Sequence, residues 1–95
     1  MPKKSIKLKR NSKAWHDLVD YIITRDYYTC QLCHRNFPKR ELAPHHLIPV
    51  GRLQLDVAWN LLTTCQKCHR LLHDGLLDKS VDDLIRERGL EGWAA

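Results

Sequence analysis

Long apolar runs and a secretion signal are both missing from this sequence. No stretch approaches the roughly 18 consecutive apolar residues that a membrane-spanning helix needs. The basic start is not followed by the apolar segment of a secretory signal. We therefore expect a soluble protein that has no contact with a membrane and stays inside the cell, in a reducing compartment where cysteine thiols persist.

Acidic residues are absent from the first 13 positions, which hold six cations. The other 82 residues carry ten cations and eleven acids, so the formal charge of +5 comes from the start of the chain. A basic segment beside a nearly neutral body indicates contact with a polyanion, most often nucleic acid. A solubilising tail is the alternative, and a membrane-surface segment is disfavoured because Ile6 and Leu8 are its only large apolar residues. The six predicted DNA-binding cations are Lys3, Lys4, Lys7, Lys9, Arg10 and Lys13.

Repeats and low-complexity linkers are also absent, so we divide the chain only once. Residues 1–12 form a basic, flexible arm, and residues 13–95 form a single domain. A domain of this length buries only roughly 60–65% of its unfolded surface, so its apolar core is marginal. Small domains of this kind often need a disulfide, a metal or a partner chain as a staple.

The apolar spacing predicts an α+β domain with a helix near each end. The first helix begins at a cap, Ser12 or Asn11, and ends near Arg25 or Asp26. The last helix is short, with Ser80 as its cap and Gly89 at its end. Residues 27–30, rich in aromatic and β-branched types, are interpreted as a short strand, and residues 42–50 as a second extended segment. The apolar stripe of the first helix consists of Trp15, Leu18, Val19, Ile22 and Ile23.

Four cysteines form two C-x-x-C pairs, Cys30 with Cys33 and Cys65 with Cys68, separated by 31 residues. Two such pairs offer four thiolates at the spacing of a structural zinc site. The alternatives are two disulfides, disfavoured by the missing secretion signal, or four buried thiols. We therefore predict a structural Zn²⁺ that staples the domain.

The histidines indicate a second metal site with a free base beside it. His69 and His73 lie four residues apart, so on a helix both rings share one face and can share a metal ion. His69 directly follows Cys68, and His45 from the extended segment can supply a third nitrogen. His46 is then free for proton transfer. The histidines left as surface or core residues are His16 and His34.

Several segments together resemble the HNH endonuclease family, in the order of its motifs. They are "RDYYTCQLC" at 25–33, "HHLIPV" at 45–50, "WNLLTTCQKCH" at 59–69 and the histidine at 73. The His-Asn-His signature of the family corresponds to His46, Asn60 and His69. The resemblance implies a zinc-stapled ββα-metal fold, here with an N-terminal helix and a short C-terminal helix. Small phage-encoded members are the most similar in size and in their basic start.

The resemblance also implies a role for each matching position. His46 is the general base, and Asn60 braces the loop around it. His45, His69 and His73 hold one catalytic divalent cation. Many members have aspartate where His45 stands, which would favour Mg²⁺, whereas three imidazoles favour Zn²⁺, Mn²⁺ or Ni²⁺. The resemblance leaves these four ions as candidates.

The function implied is a metal-dependent DNA endonuclease that hydrolyses phosphodiester bonds to 5′-phosphate and 3′-hydroxyl ends, as a nick. Resemblance to phage members adds a phage terminase as a candidate partner in DNA packaging, and places the protein in the host cytoplasm. We expect a monomer. The alternative is a non-catalytic zinc-knuckle DNA-binding module. The cysteines and the arm serve both functions, and only the histidine set favours the enzyme.

Two arginines outside the arm are further candidates for phosphate contact. Arg25 lies at the end of the first helix, and Arg70 follows His69. A guanidinium suits phosphate because its planar fork can donate two hydrogen bonds to it. A solvated surface charge is the alternative for both.

Overall fold

The first helix confirms the amphipathic stripe seen in the sequence. The computed structural model describes residues 5–48, 54–76 and 81–89. Helix α1 spans Lys13–Arg25, and the Ser12 hydroxyl caps it by accepting from the Trp15 amide at 3.1 Å. Its stripe ends on Ile22 and Ile23, which are fully buried. These two side chains fix α1 against the rest of the domain.

The segment after α1 is a tight turn, so the strand predicted over residues 27–30 is wrong. Tyr27 and Tyr28 adopt left-handed φ angles of 56° and 53°. This conformation costs a non-glycine residue roughly 1–2 kcal/mol. It is offset because the amides of Tyr27 and Tyr28 donate to the carbonyls of Thr24 and Ile23 at the end of the helix. Only one bridge follows, between Thr29 and Asn36.

The sheet consists of two antiparallel strands, β1 (Leu42–His46) and β2 (Leu61–Cys65). Leu42 lies opposite Cys65 and His46 opposite Leu61. All five residues of β2 are buried, including Thr63 and Thr64. Their hydroxyls donate to the carbonyls of Ile22 and Ala43 at 3.3 and 3.1 Å, so no desolvated hydroxyl is left unpaired.

Helix α2 spans Gln66–His73 and follows β2 without a connecting loop. Helix α3 spans Val81–Glu87, as expected for the short C-terminal helix. Its predicted cap, Ser80, lies outside the described residues. Among the described residues, every helix is too short or too polar to cross a bilayer.

The core has two apolar clusters that share Leu32 at their boundary. The first surrounds the cysteines and the second joins β2 to α2 and α3. The buried members of the first are Ile23, Cys30, Leu42, Cys65 and Cys68, and those of the second are Leu47, Leu62, Leu72, Leu84 and Ile85.

Candidate functional site

The four cysteine sulfurs converge into one cage. Cys30 and Cys33 come from the turn after α1, Cys65 ends β2, and Cys68 lies in the first turn of α2. All four Sγ atoms lie within 4.8 Å of one another, and Cys33 Sγ is 4.0 Å from Cys65 Sγ. A tetrahedral zinc site with Zn–S distances near 2.3 Å has sulfur–sulfur edges of about 3.8 Å. The cage therefore fits an ion of this size, and its four free thiols are not paired as disulfides.

Backbone amides favour ionised sulfur in this cage. The Cys33 amide donates to Cys30 Sγ at 3.5 Å, and the Cys68 amide donates to Cys65 Sγ at 3.4 Å. Burial would raise the pKa of Cys30, but the amides of Cys33, Cys65 and Leu32 lower that pKa to about 7. Burial raises the pKa of Cys65, and burial together with the neighbouring sulfurs raises the pKa of Cys68. One thiolate therefore forms readily, whereas four need a bound cation.

His45 contacts His69 of α2 and has a buried ring nitrogen. Its ring lies edge-on to the ring of His69, with centroids 5.2 Å apart. Its Nε2 atom is buried and has no hydrogen-bond partner among the described residues. Burial, followed by the proximity of His69, His46 and His73, lowers the pKa of His45 to about 4. The ring is therefore neutral near pH 7, as metal ligation requires, and a bound cation would satisfy its unpaired nitrogen.

The third predicted ligand, His73, lies one helical turn beyond His69. Its side chain is 84% exposed, and Nδ1 is 3.7 Å from Asp74 Oδ1. His69 and His73 line the same surface pocket of about 360 Å³. Within the described part of the chain, the nitrogens of His45, His69 and His73 do not approach one another as closely as the sulfurs do. The ring of His45 lies edge-on to that of His69, and His73 lines the same pocket as His69. The ligand set stays a prediction.

His46 points to the other side of β1, as alternation along a strand requires. Its ring stacks on Trp15 of α1 at a centroid distance of 6.4 Å and an interplanar angle of 4°. Its Nε2 atom lies 2.8 Å from Asp56 Oδ1. An ionised carboxylate can only accept, so Nε2 carries the hydrogen and Nδ1 of the neutral ring keeps its lone pair.

Asp56 is a buried partner of His46 that the sequence pattern did not single out. Its side chain is fully buried, and Oδ2 accepts from the Leu8 amide at 2.8 Å, Arg10 at 3.0 Å and Gln54 at 3.1 Å. Burial alone would raise the pKa of Asp56, but these hydrogen bonds and that of His46 hold it well below its usual range. One signal was present, because Asp56 is the only acid between residues 42 and 73.

The side chain of Asn60 joins two chain segments, one at Ile48 and one at Leu55. Its Oδ1 accepts from the Ile48 amide at 2.8 Å, and its Nδ2 donates to the Leu55 carbonyl at 3.0 Å. The side chain is fully buried. These two bonds tie Ile48, two residues after β1, to the segment carrying Asp56. The bracing role of Asn60 in catalysis stays a prediction.

Part of the basic arm contacts the loop segment Gln54 to Asp56. Ile6 forms a parallel bridge with Leu55, its amide donates to the Gln54 carbonyl, and its carbonyl accepts from the Asp56 amide, both at 2.8 Å. The Arg10 guanidinium lies 3.9 Å from the centroid of the Trp15 ring. The division of the chain into a flexible arm and a domain stays a prediction. Within the arm, residues 6–10 make the contacts described above.

The predicted DNA-binding cations occupy different surroundings. Lys7, Lys9 and Arg70 are exposed, and Lys13 pairs with Asp17 at 2.6 Å. Arg25 donates instead to the carbonyls of Ala58 and Leu61 at 2.9 and 2.8 Å and forms an ion pair with Asp26. This gives Arg25 an internal role that its sequence position did not indicate, and its contact with DNA stays a prediction. Lys3 and Lys4 lie outside the described residues.

A family model matches the segment that carries both candidate sites. The model described as HNH endonuclease matches residues 30–75, about half of the chain, and this range contains both cysteine pairs and all four site histidines. Residues 30–75 belong to the HNH endonuclease family. No curated protein matches the chain. The HNH segment holds β1, β2 and α2 in succession, which confirms the α+β, ββα-metal architecture. Membership in this family implies a nuclease with DNA as its substrate.

Proposed function

We propose that this protein is a metal-dependent DNA endonuclease that uses a histidine base and a single divalent cation. The observation that carries the proposal is the divergence of two adjacent histidines on β1. The His45 ring lies edge-on to the His69 ring and has a buried Nε2 without a partner among the described residues, whereas the His46 ring contacts Trp15 and Asp56. Hydrolysis of a phosphodiester needs charge relief and proton removal at two different places, and this divergence separates them.

His46 takes the proton of the attacking water. The neutral ring receives the proton at Nδ1, because Nε2–H is donated to Asp56. The water oxygen forms the new bond to phosphorus, and the bond from phosphorus to the 3′ oxygen breaks. The 3′ oxygen acquires a proton from solvent, which leaves a 3′-hydroxyl and a 5′-phosphate.

Two metal sites serve different purposes in this proposal. The four cysteines hold a structural Zn²⁺. His45, His69 and His73 hold the catalytic ion, which can be Mg²⁺, Mn²⁺, Ni²⁺ or Zn²⁺. When bound, this ion supplies a Lewis acid that neutralises the charge developing on the phosphate oxygens. The exposed Arg70 lines the pocket that also contains His69 and His73, so it can donate to the same phosphate.

A single active site in a monomer cuts one strand, so the expected product is a nick. The exposed cations of the arm hold the backbone without reading bases, so binding should weaken with salt. A role in phage DNA packaging rests on the resemblance to phage members alone. Binding of a purified terminase to this protein is its separate test.

Nicking of supercoiled plasmid by the full-length protein tests the proposal. The protein is kept with its structural zinc, and each candidate ion is added separately. His46→Ala should lower the rate by roughly 10²–10⁴-fold while DNA binding persists. His16→Ala is the matched control, because His16 is exposed on α1 and is outside the site. If no ion supports cleavage although DNA binds, the zinc-knuckle binding module replaces the nuclease as the function.

A further inference from the structure

We propose that Asp56 is the positioning residue of the His46 base and that arm residues 6–10 belong to its support. This inference rests on the nuclease function proposed above. It adds a structural role to the arm, whose sequence indicated contact with a polyanion or, alternatively, a solubilising tail.

Three elements hold the His46 ring. Its backbone lies in β1 opposite Leu61, its face stacks on Trp15, and its Nε2 is held by Asp56. A flip of the ring would break the hydrogen bond to Asp56, and a tilt of its plane would break the stacking on Trp15. The Nδ1 atom therefore faces a fixed direction in which it can meet a water molecule. The hydrogen bond from Nε2 to Asp56 sets the tautomer in which Nδ1 is the basic atom.

Asp56 in turn is held by donors that converge on its second oxygen. The Leu8 amide and the Arg10 guanidinium both reach Oδ2, and both come from the arm. A fully buried carboxylate without such donors would be strongly destabilised or would move toward water. Loss of the arm contacts should therefore disturb His46 through Asp56.

Arg10, one of the arm cations predicted to bind DNA, makes contacts within the protein. Its guanidinium pairs with Asp56, donates to the Leu8 carbonyl at 3.2 Å and lies over the Trp15 ring. Trp15 is also the ring on which His46 stacks. Arg10 thus contacts both side chains that orient the base, whereas Lys9, next to it, is exposed.

Steady-state nicking kinetics separate positioning from DNA binding. Asp56→Asn should lower kcat by on the order of 10–100-fold with little change in KM, because an amide can donate to Nε2 and favour the wrong tautomer. Arg10→Lys keeps the positive charge but loses the planar fork, so it should lower kcat less. Lys9→Ala should raise KM and keep kcat. Asp26→Asn is the matched control, since Asp26 is a largely buried carboxylate with no contact to His46.

Nitrogen-15 NMR of the histidine rings in the zinc-loaded, full-length protein reads the tautomer directly. Wild-type His46 should carry its hydrogen on Nε2, and Asp56→Asn should move population to the Nδ1–H form, while Asp26→Asn should not. A wild-type ring with hydrogen on Nδ1, or an Asp56→Asn variant with wild-type kcat, overturns the inference.

The same measurements separate this inference from the proposed function. If none of the added ions supports cleavage by the wild-type protein, the nuclease proposal fails. The wild-type tautomer still decides whether Asp56 sets the orientation of the His46 ring. If Asp56→Asn does not fold, the wild-type tautomer and the kcat of Arg10→Lys decide. An unchanged kcat in Arg10→Lys would show that the arm does not help to position His46.

Discussion

Loss of one ligand from the cysteine cage should remove much of the stability of this domain. Cys68 is 5% exposed and packs in the first apolar cluster. A structural zinc contributes about 10–16 kcal/mol of apparent binding free energy, so one of four ligands accounts for roughly 2.5–4 kcal/mol. In Cys68→Ser, a buried hydroxyl without a metal adds about 1–3 kcal/mol. The sum is comparable with the net stability of about 5–14 kcal/mol expected for this length.

Circular dichroism melting of the full-length protein, with zinc counted per chain, measures this loss. Cys68→Ser should lower the melting temperature by at least about 15 °C, and complete removal of zinc by a chelator should unfold the wild type at 25 °C. His34→Asn is the control, because His34 is exposed beside Cys33 and asparagine tolerates its φ of 63°. A zinc-free wild type that melts near the temperature of the zinc-loaded protein would refute the reasoning.

Two other substitutions test the loop brace and the arm. Asn60→Ala leaves the Ile48 amide and the Leu55 carbonyl without their partner, so the free energy of unfolding in a urea titration should fall by about 2–5 kcal/mol. A fall below about 1 kcal/mol would show that these groups find other partners. Lys9→Ala should make the log–log salt dependence of DNA affinity shallower by about 0.9, measured by fluorescence anisotropy. An unchanged slope would exclude Lys9 from phosphate contact.

Local patterns predicted the parts of the structure that depend on neighbours along the chain. The stripe ending at Ile22 and Ile23 predicted α1 because helical spacing places these residues on one face. The two C-x-x-C pairs predicted the cage because each knuckle brings its own two sulfurs together, and only the approach of the two knuckles required tertiary structure. Strand alternation likewise predicted that His45 and His46 diverge.

Contacts that depend on tertiary structure could not be read from the sequence. Asp56 meets His46 across ten positions, and it meets Leu8 across 48, with no repeat or spacing to indicate either pairing. Arg25 donates to carbonyls more than 30 residues away, although its charge alone indicated a surface position. Tyr27 and Tyr28 have strand propensity, but their amides donate hydrogen bonds to carbonyls at the end of α1, and this holds them in a turn.

The peptide bond between Cys68 and His69 joins the structural cage to the proposed chemical site. Cys65 caps α2 with its sulfur, Cys68 lies in the first turn, and His69 follows immediately. A newly synthesised chain that had not yet acquired zinc would lack a fixed α2 and therefore a fixed His69. Such a chain would be inert toward the DNA of the cell that makes it. In the proposed nuclease, uptake of zinc would therefore have to precede activity.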